Sequence, residues 1–161
     1  MNLPSSSAKL RSLRALCVKV FLPAVLLLTA TTLKAQTTPP VTIWPHGISP
    51  QGVTHKDNFG NHGLSITVHN TSGIAEVHQA TADVMIVQSG EATLIYGGEV
   101  VDAKQTSPNE VRGPSIRNGT SVHVSAGDVI HFAAGVPHQW IVEPGKQITY
   151  LVVHIKEPTK P

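Results

Sequence analysis

The sequence predicts an all-β domain, and three observations support this prediction. Apolar and polar residues alternate over several short runs after residue 60, as they do in half-buried strands. No segment after residue 35 keeps the 3.6-residue period of an amphipathic helix. Glycine-containing pairs such as Gly97-Gly98 and Asn118-Gly119 interrupt the runs and are typical of tight turns. Many short strands at regular spacing indicate a β-sandwich or a small barrel.

The first 35 residues have the layout of a secretory signal peptide. A basic start without acids precedes an apolar stretch over residues 20–33, and Ala35 stands before an expected cut at Gln36. Pro23 lies inside the apolar stretch, which is short for a membrane span. An uncleaved N-terminal anchor is the alternative. We therefore expect a periplasmic or secreted protein without stable membrane insertion after cleavage.

Removing the leader changes the charge of the protein. Five of the twelve Lys and Arg residues lie within residues 1–35, whereas all ten acids follow them. The formal charge of residues 36–161 is therefore −3, and the only cysteine, Cys17, is lost with the leader. No Lys/Arg cluster remains to neutralise phosphates, so the sequence argues against a nucleic-acid partner.

Residues 36–52 are predicted to form a flexible tether, because Pro and Gly deny them regular hydrogen bonding. The barrel domain is expected over residues 53–161. Its expected strands cover residues 64–68, 74–78, 83–88, 92–96, 111–117, 120–124, 129–132, 139–142 and 148–156. We expect a turn at Ser89-Gly90-Glu91, a hairpin closed by Gly97-Gly98, and a two-residue hairpin at Asn118-Gly119. Residues 99–110 are expected to form a polar loop, either in solvent or over the mouth of the barrel.

Two segments at the edges of expected strands carry side chains suited to chemistry. Glu76 and His78 lie two residues apart on one expected strand, so they project from the same face. Asp83 opens the next expected strand, and His138 ends a glycine-bounded segment some forty residues further on. We expect these four side chains to converge on one metal ion or one substrate.

Over residues 64–156 these segments resemble the two motifs of the cupin superfamily. The first cupin motif has two histidines two residues apart, then a glutamate and a glycine; those places are taken here by Glu76, His78, Asp83 and Gly90. The second motif runs from a glycine through a proline-x-glycine to a third histidine; those places are taken by Gly127, Ala133, Gly135 and His138. The resemblance implies a cupin-like double-stranded β-helix, or jelly-roll, barrel of the single-domain secreted kind. It also implies a homodimer formed through edge strands.

A cupin site usually has three histidines and one glutamate, and this chain departs from that set. Two imidazoles, from His78 and His138, and two carboxylates, from Glu76 and Asp83, suit a divalent first-row ion such as Mn, Fe, Ni or Zn. The two carboxylates favour Mn or Fe over Cu. A metal-free pocket is the alternative, in which Glu76 pairs with a neighbour such as Arg112 or Lys156 and Asp83 caps its strand.

The remaining histidines carry weaker signals. His131 lies on an alternating strand and either points inward near His138 or lies at the surface. His69, His123 and His154 also lie on expected strands, and we expect them to be surface or core residues. No serine stands in a nucleophile-elbow context, so Ser-His-Asp chemistry is not supported.

Two functional hypotheses follow. The first is a metal-dependent small-molecule enzyme of the oxygenase, isomerase or lyase type, with catalytic residues beyond the ligands unassigned. The second is a metal-free or metal-assisted module that binds a small ligand such as a sugar or a carboxylate. Substrate identity is beyond the sequence, because a one-residue error in strand register exchanges the inward and outward side chains.

Overall fold

The computed structural model describes residues 40–157. The expected signal peptide and the first residues of the expected tether lie outside these residues. Within them, no helix is long and apolar enough to cross a membrane. The only helical element described is a single 3-10 turn, Pro45–Gly47.

Twelve β-strands account for the regular structure of the described residues. They are β1 (Lys56–Asn58), β2 (His62–His69), β3 (Ala75–His78), β4 (Thr81–Tyr96), β5 (Glu99–Val100), β6 (Lys104–Ser107), β7 (Glu110–Gly113), β8 (Ile116–Arg117), β9 (Thr120–Ser125), β10 (Val129–Phe132), β11 (His138–Ile141) and β12 (Ile148–Lys156). The prediction of an all-β domain is therefore confirmed.

Ten of these strands form one curled antiparallel sheet, and β5 and β8 form a separate pair. The hydrogen-bonded order is β1-β2-β12-β4-β11-β3-β7-β6, with β9 and β10 also paired to β4. Strand β4 is long enough to serve both halves of the curl. Its first half pairs with β12 and β10, and its second half pairs with β11 and β9. The curl thus has two layers, and the candidate site residues come from both.

The predicted turn at Ser89-Gly90-Glu91 is wrong, because β4 runs without a break through it. Strand pairing continues through these residues, to β12 at Ser89 and Gly90 and to β9 at Glu91, and the register against β12 shifts at Thr149/Tyr150. Gly90 allows the change of direction with a φ of 77°. A Cβ at this position would lie 1.9 Å from the carbonyl oxygen of Gln147, so a side chain does not fit.

The two predicted hairpins are also wrong, because the strands beside each dipeptide pair with strands other than those expected. Tyr96 pairs with Thr120, and Glu99 pairs with Arg117. The four residues between these pairs, Gly97, Gly98, Asn118 and Gly119, therefore face each other across one long ribbon. Three of the four have positive φ, so both strands of the ribbon bend at the same level. The dipeptides Gly97-Gly98 and Asn118-Gly119 are therefore bends within a two-stranded ribbon, and neither closes a hairpin.

The segment 99–110 is not a loop. It contains β5 and β6, and β6 pairs with β7 as an exposed hairpin at the edge of the sheet. The expected exposure to solvent is observed, whereas the expected lack of regular structure is not. Cross-strand pairing to 110–117 supplies the hydrogen bonds that composition alone did not predict.

The core lies between the two layers of the curl. Trp140, Leu94 and Ile148 are among the largest fully buried side chains, and Trp140 stacks on Tyr150 with ring centroids 5.0 Å apart. Burial of each such side chain stabilises the fold by about 1.5–3 kcal/mol. Part of the expected tether contacts this barrel, since Gln88 donates a hydrogen bond to the carbonyl of Gly47. The domain boundary at residue 53 stays a prediction.

Candidate metal centre

Strands β3 and β11 bring three of the predicted site residues together. His138 is the cross-strand partner of Glu76, and His78 lies two residues further along β3 on the same face. One ligand-type atom from each of Glu76, His78 and His138 lies within 4.8 Å of the others. The segments 76–83 and 127–138 therefore meet at one place, as their resemblance to the cupin motifs implies.

His138 is oriented for ligation by its own backbone neighbourhood. Its side chain is 1% exposed, and Nδ1 lies 3.1 Å from the carbonyl oxygen of Val136. A carbonyl only accepts, so Nδ1 donates its proton and the neutral ring keeps a lone pair on Nε2. Nε2 is buried without a hydrogen-bond partner and lies 3.5 Å from Oε1 of Glu76. A second hydrogen bond of this kind typically fixes the tautomer of a metal-binding histidine.

Asp83 approaches the cluster from the first half of β4. It is 1% exposed, and its Oδ1 accepts a 2.7 Å hydrogen bond from Nδ1 of His154. Its Oδ2 is buried without a hydrogen-bond partner and lies 3.5 Å from Nε2 of His78. Asp83 is not one of the three residues whose atoms all lie within 4.8 Å, so it joins the cluster through His78. Its role as a fourth ligand stays a prediction.

The two 3.5 Å separations test whether these residues fit a metal ion. They are longer than ordinary N–H···O hydrogen bonds of 2.7–3.2 Å. Nitrogen and oxygen ligands about 2.0–2.2 Å from one ion lie roughly 2.8–3.6 Å apart when they are neighbours in its coordination shell. Two buried atoms, Oδ2 of Asp83 and Nε2 of His138, also have no other partner. The donor set therefore fits a divalent first-row ion.

Glu76 divides its two oxygens between the cluster and a cation. Oε2 lies 3.0 Å from a guanidinium nitrogen of Arg112, its cross-strand partner on β7, while Oε1 faces His138. Burial raises the pKa of Glu76, but the neighbouring His138, His78 and Arg112 lower it further, so its pKa lies below the usual 4.5. Glu76 is therefore a carboxylate at neutral pH.

The pKa of His138 is shifted upward, whereas that of Glu76 is shifted downward. Burial lowers the pKa of its imidazole, but the Glu76 carboxylate, the Val136 carbonyl and Asp83 raise it further, to above the usual 6.5. The pair thus holds a proton more firmly than free histidine does when no metal is bound. Metal binding has to displace that proton.

The other histidines separate into two groups. His131 is exposed, and the inward residue of β10 is instead Phe132, whose ring stacks on His138. His123 is also exposed, as the sequence led us to expect. His69 hydrogen-bonds to the hydroxyl of Tyr150, and burial lowers the pKa of His69.

His154 is a neighbour of the candidate site that the sequence reasoning did not assign to it. It is the cross-strand partner of Asp83 between β12 and β4, and its Nε2 lies 3.0 Å from the hydroxyl of Ser65. The alternation of residues along β12 could have indicated an inward position for His154, because it shares a face with the buried residues Tyr150 and Val152. The register of β12 against β4 was needed to connect it to Asp83.

A cleft lies beside Phe132. It has a volume of about 690 Å³ and is lined mainly by β9, β10 and the end of β4. Exposed apolar side chains, among them Val122 and Val129, border it. Phe132 is therefore a wall shared by the cleft and the candidate centre.

No family model and no curated protein matches this chain. Solved structures resemble it remotely. An uncharacterized conserved protein with a double-stranded β-helix domain from Klebsiella pneumoniae is 16% identical, with a TM-score of 0.48 over 76% of this chain and 95% of the other. A cupin protein from Bacteroides fragilis is 13% identical, with a TM-score of 0.44 over 64% of this chain and 72% of the other.

A DMSP lyase from Ruegeria pomeroyi is also 13% identical, with a TM-score of 0.44 over 63% of this chain. The chain spans only 41% of the length of that lyase and 53% of the length of another solved structure that it resembles. These likenesses concern the fold alone. The strand order of the chain itself, together with the meeting of its two motif-like segments, gives residues 56–156 a double-stranded β-helix, or jelly-roll, fold.

Proposed function

We propose that the domain binds one divalent metal ion, Mn, Fe, Ni or Zn, through His78, His138, Glu76 and Asp83, and acts on a small-molecule substrate. One observation carries the proposal. Two buried ligand atoms without partners, on Asp83 and His138, each face a second ligand-type residue at a distance suited to neighbouring ligands. Two carboxylates beside two imidazoles favour Mn or Fe within that group of ions.

Such an ion, when bound, supplies a Lewis acid for an oxygen-bearing substrate or a centre for oxygen activation. The side chains around it supply orientation and shielding. Phe132 covers one face of the His138 ring and keeps water from it. Arg112 holds the outer oxygen of Glu76 and leaves a half-exposed positive charge at the edge of the cluster. The reaction class we favour is that of an oxygenase, isomerase or lyase.

A specific observation supports a second candidate function. The ion pair with Arg112 satisfies Glu76 without any metal, as the metal-free alternative requires. A module that binds a sugar or a carboxylate, with or without the help of a metal, would then use the same interior. The two candidates differ in whether His78 and His138 are needed for ligand binding.

The experiment that tests the proposal is elemental analysis after reconstitution with each candidate ion. About one equivalent of metal is expected in the parent protein, because a site of this kind takes one ion. Little is expected in His138→Ala. The matched control is His131→Ala, which removes an exposed imidazole from β10 and is expected to keep the full equivalent. Only trace metal in the parent after every reconstitution would refute the proposal and favour the binding module.

Export and assembly are part of the same proposal. We infer a periplasmic or secreted location from the signal-like first 35 residues, and intact-mass measurement of the expressed protein tests it by locating the new N-terminus. A mass that retains residues 1–35 contradicts cleavage.

We also infer a homodimer, because β9 and β10 pair only through β4 and leave open edges. Light scattering that finds only monomer contradicts it.

A further inference from the structure

Both carboxylates of the candidate centre have one oxygen engaged outside it. Oε2 of Glu76 lies 3.0 Å from Arg112, and Oδ1 of Asp83 lies 2.7 Å from Nδ1 of His154. The remaining oxygen of each carboxylate faces a histidine of the cluster at 3.5 Å. The same division of oxygens therefore occurs twice, in residues from different layers of the curl.

The two outer partners are themselves held in place. Arg112 is the cross-strand partner of Glu76 on β7 and also contacts the Glu110 carboxylate on its own strand. It cannot turn toward solvent without giving up both carboxylates. Its guanidinium group has several donors in one plane, so it can serve both at once.

His154 is held from the opposite side by a hydroxyl. It is the cross-strand partner of Asp83, and its Nε2 lies 3.0 Å from Oγ of Ser65, which is 2% exposed. Since the Asp83 carboxylate only accepts, Nδ1 of His154 donates to it, and Nε2 of the neutral ring accepts from Ser65. A chain of three side chains on β2, β12 and β4 thus sets the orientation of Asp83.

We propose that Arg112 and His154 are positioning residues that make Glu76 and Asp83 bind metal through one oxygen each. The inference rests on the metal site proposed above. Each anchor holds one oxygen of its carboxylate turned away from the cluster, so the two carboxylates and two imidazoles present four protein atoms to the ion rather than five or six. A six-coordinate ion held in this way has positions left for substrate.

Removal of an anchor frees the outer oxygen. The carboxylate can then rotate and bind through both oxygens, or lose its orientation altogether. Loss of such outer partners typically weakens metal affinity by about 10–100-fold without removing the site. A residue that only supports the fold would change stability and leave the binding mode of the carboxylates unaltered.

The test uses the full-length protein with Mn²⁺ or Zn²⁺ as the probe. Calorimetry gives affinity and stoichiometry, and infrared difference spectroscopy distinguishes carboxylates bound through one oxygen from those bound through two. The loss variants are Arg112→Met and His154→Leu. The matched controls are Arg117→Met, which removes an exposed arginine that pairs with Glu99, and His123→Leu, which removes an exposed histidine.

We expect each loss variant to bind one ion about 10–100-fold more weakly, with altered carboxylate bands, while both controls match the parent. His154→Asn, which keeps a donor near the position of Nδ1, is expected to recover most of the affinity. If His154→Leu does not fold, Ser65→Ala loosens the same anchor and should weaken affinity by a smaller factor. Unchanged affinity and bands in the Arg112 and His154 or Ser65 variants would overturn this inference while the metal site stands. A parent without metal would overturn both.

Discussion

The ring of Phe132 lies nearly parallel to the imidazole of His138, with centroids 4.5 Å apart and an interplanar angle of 14°. Phe132 is 5% exposed and belongs to the core cluster, so its ring is fixed by packing. Phe132 also lines the adjacent cleft. The packing of β10 therefore bears directly on the position of a candidate ligand.

Shortening Phe132 should destabilise the protein and weaken metal binding together. Phe132→Ala is expected to cost about 3–5 kcal/mol, because it leaves a cavity between the core and His138. Phe132→Leu should cost less than about 1.5 kcal/mol if the core repacks around it. Urea denaturation measures the loss of stability in both Phe132 variants. Val129→Ala, on the same strand but 67% exposed, is the control and should stay within about 0.5 kcal/mol of the parent. Equal losses for Phe132→Ala and Val129→Ala would contradict the packing described.

The metal-free protein should lose stability on the alkaline side of the Glu76–His138 pair. The folded pKa of His138 lies above 6.5, so its contribution is complete below pH 6.5 and is lost as pH rises through the folded value. The folded pKa of Glu76 lies below 4.5, so its contribution is present above pH 4.5 and is lost as pH falls through the folded value. The contribution of the pair is therefore largest between those limits.

Added metal should reverse the alkaline trend. Ligation needs neutral imidazoles, so the increase in thermal midpoint on adding Mn²⁺ or Zn²⁺ is expected to grow as pH rises from about 5.5 to about 7.5. Thermal unfolding at each pH, with added metal and with a chelator, measures the two trends. His138→Gln should flatten both, whereas His123→Gln, at an exposed position, should leave both unchanged. A metal-induced shift that is equal at every pH would contradict ligation by these histidines.

Gly90→Ala should be far more damaging than Gly97→Ala, although the two glycines have similar backbone angles. Their φ values are 77° and 70°, so either alanine carries a left-handed penalty of about 1–2 kcal/mol. Only at Gly90 does the new Cβ meet backbone, 1.9 Å from the carbonyl oxygen of Gln147; around Gly97 there is open space. Thermal unfolding should show the additional loss at Gly90 alone. Similar midpoints for the two variants would indicate that β4 does not bend as described.

Replacing Gln139 with Leu should destabilise the protein despite similar size. Gln139 is 6% exposed, and its amide donates to the carbonyls of Gly73 and Pro114 at 2.9 Å and 3.2 Å. Its Oε1 accepts from the backbone N–H of Ile116. Leucine leaves these backbone groups without partners, at a cost of about 1–3 kcal/mol. Denaturant unfolding measures the loss, and Gln105→Leu, at an exposed position on β6, is the control. A neutral Gln139→Leu would contradict these hydrogen bonds.

The sequence predicted the class of fold well because many of its strands carry a local pattern of apolar and β-branched residues. Residues 129–132 were predicted as a strand and coincide with β10, and alternation within 120–124 and 148–156 placed β9 and β12 closely. The same local logic failed at Gly90, where pairing with β12 and then with β9 keeps a turn-like tripeptide within one continuous strand. Partners distant in the chain decided that element.

The candidate site was predictable to the extent that its residues are close in sequence. The two-residue spacing placed Glu76 and His78 on one face, and the second segment supplied His138. The link from Asp83 to His154 spans 71 residues and depends on one register of β12 against β4. A shift by one residue would turn His154 to the other face, so only the structure could make the connection.

The position of β12 has a consequence for when this chain can fold. Strand β12, the last one described, lies between β2 and β4. The first half of β4 therefore has no partner on that side until residues 148–156 are available. Contacts between segments so distant in sequence form slowly, because the intervening chain must first be closed into a loop. A chain emerging from the ribosome therefore lacks the central strand of this layer until residues 148–156 have been synthesised.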